Sequence, residues 1–398
     1  MQLSFHQCMG NHALFITPVL PTLKGRGPGF RAYQWVIFLK QSYKKVTVVC
    51  SSVYGEFESE PDIFLDHPDI QIYISPLKKG LFLRLLNVVA LKPSTYNFVN
   101  VDFERWFESL GVDSPNFILG FKITNYPIVK WLKWGFDNAQ AAIDIDEVNS
   151  LRVWSIASLM KKNGLHWSAY KLIPDIIGYR MMESVVMKDL DSVIVSTQKE
   201  RMAFEEISAL RPCTVFENKF PIKIPAEKTD EMAFQFLFVG NSVHYPNRDA
   251  IEMIIKDILP EIRKRASNKF KIMIIGGELD KVNTSFMNQC VEIEYLNDID
   301  NLEDIYNQCD AALIPLRSGG GSSLKMLEAM ANKKAVISTT IGSRGFNLKH
   351  GKHCLISDDP LILASFCVRL INDRKLASEL AENGYKWYLE HHSYDPAF

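Results

Sequence analysis

The chain has 398 residues, 47% hydrophobic and 23% charged, with a formal net charge of −1. That length exceeds what a single core usually organises, so two domains are expected. The near-neutral charge disfavours a nucleic-acid binder, which would carry a basic surplus. No basic stretch runs into an apolar core at the start, and no run of ~18 apolar residues follows. A secretory leader and a membrane-spanning helix are therefore not expected. The seven cysteines are scattered without a C-x-x-C pair, the pattern of buried, reduced thiols in a cytoplasmic protein.

In chain order, residues 12–19 read as a buried strand and 21–29 as a loop with three glycines. Residues 30–43 read as a helix and 45–50 as a second strand. This βαβ unit predicts a parallel sheet with a right-handed crossover. Residues 70–74 alternate like a strand. The apolar block 81–91 follows two lysines and is too short to cross a bilayer. It reads either as a core-facing helix or as one lying on an anionic membrane surface. A helix over 102–110 and strands over 117–119 and 141–145 come next. Asp144 and Asp146 fall at the end of the last of these, the edge where open α/β sheets bind ligands. They are candidates to hold or deprotonate an acceptor hydroxyl, or, for Asp146, to cap the following helix. A helical stretch over 149–188 is broken near Gly164 and Pro174, and a strand over 192–196 closes the first half.

Residues 221–231 are rich in proline and charge and read as a linker. A second α/β alternation starts with a strand at 236–240 and a helix at 249–265. Strands at 271–277, 291–296 and 310–315 continue it. The most informative stretch is 315–340. Gly319, Gly320 and Gly321 allow close backbone approach to a ligand. Ser322 or Ser323 stands where a helix cap is expected. The start of the helix over 324–331 offers free N–H groups and a positive dipole end, which suit a phosphate. Lys325 adds a full charge, and Glu328 lies one turn further on the same face, within reach of hydroxyls beside that phosphate. A phosphate seat next to a hydroxyl-binding carboxylate suits a sugar nucleotide. The pattern is neither a Walker loop nor a nicotinamide fingerprint. The helix over 375–391 ends the fold.

The run Glu328-Ala329-Met330-Ala331 through Thr339 resembles the nucleotide-sugar signature of GT-B glycosyltransferases, specifically the family 4-like group 1 transferases. Many members carry a second glutamate eight residues earlier, where this chain has Gly320. A subgroup with G-x-G-x-x-x-K-x-L-E matches better, as Gly319 to Glu328. Pro21, Gly25, Gly27 and Arg31 fit the family's first loop and helix.

The resemblance implies an α/β GT-B fold: two Rossmann-like parallel-sheet domains facing across a cleft. The acceptor-binding domain would cover 1–220, the linker 221–231 and the donor-binding domain 232–374, with a terminal helix over 375–398 crossing back. It implies transfer from a nucleoside-diphosphate sugar, with no further cofactor and no metal, to a saccharide or lipid-linked acceptor. Retention of anomeric configuration is implied as well, in synthesis of a cell-surface polysaccharide or glycoconjugate. Donor-binding candidates are Gly27, Arg248, Arg317, Gly320, Gly321, Ser322, Ser323, Lys325 and Glu328; catalytic candidates are Asp144, Asp146 and Lys325. The expected place is the cytoplasm, with peripheral contact to the inner membrane face left open. A sugar-nucleotide epimerase of the same fold and a degenerate glycan-binding subunit are the competing readings.

Overall fold

The computed structural model describes residues 10–22, 27–51, 67–75, 92–93, 99–208, 213–223, 225, 233–276, 290–297, 299 and 302–394. Gly25, the 81–91 block and most of the 221–231 stretch lie outside them. The chain divides into two units, Met1–Glu217 and Asn218–Phe398.

In the first unit, β1 (Gly10–Thr17), β2 (Tyr43–Cys50), β3 (Ile70–Ile74), β4 (Phe117–Phe121), β5 (Gln140–Asp146), β6 (Ser192–Val195) and β7 (Thr214–Val215) make one sheet, in the order β3-β2-β1-β4-β5-β6-β7. Every pairing is parallel. The apolar runs explain the strands, because a parallel sheet is covered on both faces. Side chains alternate between those faces: Leu14 and Ile16 enter a core with Ile118, Ile143 and Val195, whereas Ala13 and Phe15 enter another with Trp35 and Leu119. Pro18 ends β1 earlier than the sequence suggested, since it has no N–H to give the ladder. Helix α1 (Gly27–Ser42) starts earlier than expected, with Pro28 in its first turn. Helices α2 (Val101–Ser109) and α3 (Tyr126–Gly135) follow. The long helical stretch resolves into α4 (Asn149–Lys162), α5 (His166–Tyr170) and α6 (Ile173–Asp189). Gly164, at φ 79°, makes the first break, and Pro174 opens α6. Helix α7 (Gln198–Ile207) is capped by Thr197, which accepts from the Glu200 amide.

The second unit repeats the plan. Strands β9 (Phe234–Val239), β10 (Phe270–Ile275), β11 (Ile293–Leu296), β12 (Ala311–Ile314), β13 (Ala335–Ser338) and β14 (Leu355–Ile356) form a parallel sheet ordered β11-β10-β9-β12-β13-β14. Its helices are α8 (Tyr245–Met253), α9 (Leu259–Arg265), α10 (Leu302–Gln308), α11 (Leu324–Ala331), α12 (Pro360–Asn372) and α13 (Arg374–His391). The single helix expected over 249–265 is instead two, joined by a π turn at Ile254–Ile258. Pro260 supplies the reason, having no N–H for the ladder. Helix α12, capped by Asp359, was not expected from the sequence. Helix α13 packs on α11 and β13. The chain beyond it forms β15 (Ser393–Tyr394) beside β8 (Phe220–Pro221), where the Tyr388 hydroxyl donates to the Pro221 carbonyl at 2.6 Å.

Each sheet reverses its strand order once, between β1 and β4 and between β9 and β12. The crevice outside the carboxyl ends at such a point is where ligands bind open α/β sheets.

Candidate donor site and strand-end cluster

In the second unit, the chain leaves β12 through Arg317 and Ser318, turns at the three glycines and enters α11. Gly319 has φ 136° and Gly321 φ 66°, values that L side chains resist. Arg344 braces the turn. Its Nε donates to the Gly321 carbonyl at 2.8 Å, and its Nη2 donates to the Gly320 carbonyl. A Cβ on Gly319 would lie 3.1 Å from that guanidinium. Arg344 is 24 residues from Gly320, too far for sequence reasoning to single it out.

Ser323 occupies the N-cap position, but its side chain makes no cap bond. The expected serine cap is therefore absent. The Ser323 hydroxyl and that of Ser318 are buried with no hydrogen-bond partner. Buried polar atoms are seldom left so, and the first N–H groups of a helix have no partner within it. Two unpartnered hydroxyls thus lie just before α11, whose Met326 amide already donates to the Ser323 carbonyl at 3.0 Å. Ser322 takes another role, accepting from the Asn218 amide at 2.8 Å.

The Lys325 ammonium makes no ion pair among the described residues. Burial pulls its pKa below the ordinary value, against the pull of nearby Glu328. Burial likewise raises the Glu328 carboxyl to about 7, opposed by Lys223 and Lys325. The buried Tyr306 hydroxyl lies 3.4 Å from Glu328 Oε2 and fixes its direction. The structure thus brings Gly320, Gly321, Ser322, Ser323, Lys325 and Glu328 together on one loop and helix. Arg317 is engaged elsewhere: it grips buried Asp249 through two bonds of 2.8 and 2.5 Å, which ties the loop to α8. Arg248 stacks over Tyr245, 5.4 Å from the ring centre.

The first unit carries Gly27, the opening residue of α1, and the two aspartates. Asp144 is fully buried and receives four donors: Arg31 Nε at 2.7 Å and Nη2 at 3.1 Å, Trp35 Nε1 at 2.5 Å and the Asp146 amide at 2.8 Å. Those donors occupy its lone pairs. Asp144 is therefore a positioning carboxylate, and the catalytic role expected for it does not fit. Asp146 differs. Its φ is 62°, opposite Lys122 at φ 64° on the neighbouring strand end. Lys122 donates to it at 2.7 Å. Burial works against its charge, but Lys122 and Arg31 outweigh that and hold it down at about 2. So acidic a carboxylate is a weak general base at neutral pH, though it can still orient a hydroxyl. Left-handed backbone at two non-glycine residues is a strain that concentrates at functional sites.

Two all-parallel Rossmann-like units in one chain define the GT-B fold. Residues 233–373, about a third of the chain, match the family model described as "Glycosyl transferases group 1". An uncharacterised 44.6 kDa protein in the cps region of Klebsiella pneumoniae is 25% identical over 179 residues. That alignment covers 43% of this chain and 46% of the relative, so it spans about half the length of each. Among solved structures, TarM from S. aureus covers 96% of both chains at 12% identity, with a TM-score of 0.68. Sucrose-phosphate synthase from Thermosynechococcus elongatus gives 0.69 at 15% identity, covering 96% of this chain and 95% of its own. HepE from Anabaena, solved in complex with UDP and glucose, gives 0.64 at 10% identity and covers 96% of each chain. At such identities the shared property is the fold.

Proposed function

We propose that the protein is a glycosyltransferase that moves a sugar from a nucleoside-diphosphate donor to a saccharide or lipid-linked acceptor. The second unit holds the donor. The observation that carries this reading is the convergence around the start of α11 of two serine hydroxyls without a hydrogen-bond partner and an ammonium without an ion pair among the described residues, beside a strained glycine turn. As the glycosidic bond breaks, negative charge grows on the departing diphosphate. Fixed N–H dipoles and Lys325 are aimed where that charge develops. Glu328 accepts from ribose hydroxyls, held by Tyr306. That HepE, a structural neighbour, was solved with UDP supports a nucleoside-diphosphate donor, and the cps-region relative supports a polysaccharide product. Asp146 is the candidate to orient the acceptor hydroxyl, and the reaction retains anomeric configuration in this reading.

A thermal-shift screen with UDP, GDP, ADP and CMP tests it, since a ligand that binds the native state raises its melting temperature. One diphosphate should stabilise the full chain, and the matching sugar nucleotide should be consumed only when acceptor is added. No shift with any nucleotide would favour a degenerate binding subunit. Turnover of a sugar nucleotide alone would make the protein an epimerase.

A further inference from the structure

The helices α4, α5 and α6 carry a surface that the transfer reading does not use. On α4, Leu151, Trp154, Ser158, Lys161 and Lys162 recur at helical spacing and are all exposed, while Val153, Ile156 and Leu159 between them are buried. Trp154 is 59% exposed. Leu165 in the turn after α4 is exposed, as are Trp167 and Tyr170 on α5, Trp167 to 81%. Helix α6 continues with Ile173, Ile177 and Met181, exposed at i, i+4 and i+8. Met181 also lines a groove of about 630 Å³ together with Trp131, Trp134 and Tyr126. Soluble chains seldom expose so many large apolar side chains together without a partner.

Charge identifies the partner. No Asp or Glu stands between Glu147 and Asp175, although the chain as a whole has 46 acidic residues. Lys161, Lys162 and Lys171 flank the exposed aromatics, and none of them pairs with a carboxylate among the described residues. Lys161 lies over the Tyr170 ring at 5.6 Å. Tryptophan and tyrosine favour the bilayer interface, where an apolar ring meets a wet polar edge. Lysines beside them meet anionic headgroups. Among the described residues no helix is long and apolar enough to cross a membrane.

We propose that the α4–α5–α6 face docks on an anionic lipid surface. Trp154, Leu165, Trp167 and Tyr170 enter the interface, and Lys161, Lys162 and Lys171 meet the headgroups. This does not depend on the identity of the transferred sugar or on transfer itself.

The test is co-sedimentation of the full chain with vesicles of phosphatidylcholine alone or with about 30% phosphatidylglycerol, an anionic content that sets the surface potential. Binding should appear on the anionic vesicles and fall in about 0.5 M salt, where charges are screened. Trp154→Ala with Trp167→Ala should abolish most of it, and each of Lys161→Gln, Lys162→Gln and Lys171→Gln should lower it about fivefold. These positions are exposed, so thermal melting should stay unchanged and separate docking from folding. Equal binding to neutral and anionic vesicles, no binding to either, or variants that bind as the parent does would overturn the proposal. So would light scattering that shows a dimer of the parent chain split by the tryptophan substitutions with vesicle binding intact, which would make the face a contact between copies.

Discussion

The two sheets end in the same way topologically but finish their polar groups differently. At the carboxyl ends of β4 and β5, Asp144, Arg31, Trp35, Asp146 and Lys122 satisfy one another in a closed network. Between β12 and α11 polar groups are left open: among the described residues the buried Ser318 and Ser323 hydroxyls have no hydrogen-bond partner, and Lys325 in the first turn of α11 has only the pull of nearby Glu328. A closed network rigidifies and specifies, whereas leaving polar groups unsatisfied costs stability unless a ligand completes them. The first edge still leaves the Thr124 hydroxyl, just past β4, buried without a hydrogen-bond partner among the described residues, so the contrast is one of degree: the first edge chiefly holds its own fold, and the second is built to receive something.

The largest expected effect lies in the closed network. Asp144→Ala strips a buried guanidinium of its principal counter-charge and should cost about 3–5 kcal/mol, read from urea unfolding. A cost below ~1 kcal/mol, the range of an exposed ion pair, would mean that the network is not closed. The open edge should respond in binding and not in stability. Lys325→Ala should weaken nucleoside-diphosphate affinity about 10- to 100-fold, since hydrogen bonds to charged groups contribute ~1.5–3 kcal/mol. The melting temperature should hold or rise, because a desolvated cation is removed. Arg344→Ala should lower the same affinity about tenfold by freeing the glycine turn, the scale of a lost neutral hydrogen bond. Gly321→Ala should cost about 1–2 kcal/mol of stability, the penalty of left-handed backbone for an L residue.

The smallest effect is in pH. The Glu328 carboxyl is raised from 4.5 to about 7. The folded state then keeps a proton that the unfolded state gives up. Its contribution is full below 4.5 and is lost as pH rises through about 7. Glu328→Gln should therefore lose less stability over that window than the parent. Donor affinity should rise over the same window, because only the ionised carboxylate accepts from both ribose hydroxyls.

How much of this was legible in the sequence varied with the range of the interaction. The parallel strands and the glycine loop with Lys325 and Glu328 follow from local pattern: apolar runs, glycines and helical spacing. The role of Arg344 does not, because its carbonyl partners lie more than twenty residues away and only the fold brings them together. Arg317 was expected at the donor, yet Asp249 on another helix claims it. Asp144 misled for the same reason, since the Arg31 and Trp35 that saturate it lie over a hundred residues earlier. Helix α12 was missed because its apolar face runs nearly continuously and blurs the helical period. The exposed tryptophans of α4 and α5 could not be told from core residues by sequence, because periodicity gives faces but not which face is covered.

The most direct test is calorimetric titration of the full chain with the nucleoside diphosphate that stabilises it, beside Lys325→Ala and Glu328→Ala. The account predicts one site in the parent, with affinity lowered in both variants and melting preserved. Equal affinity in all three proteins would contradict it.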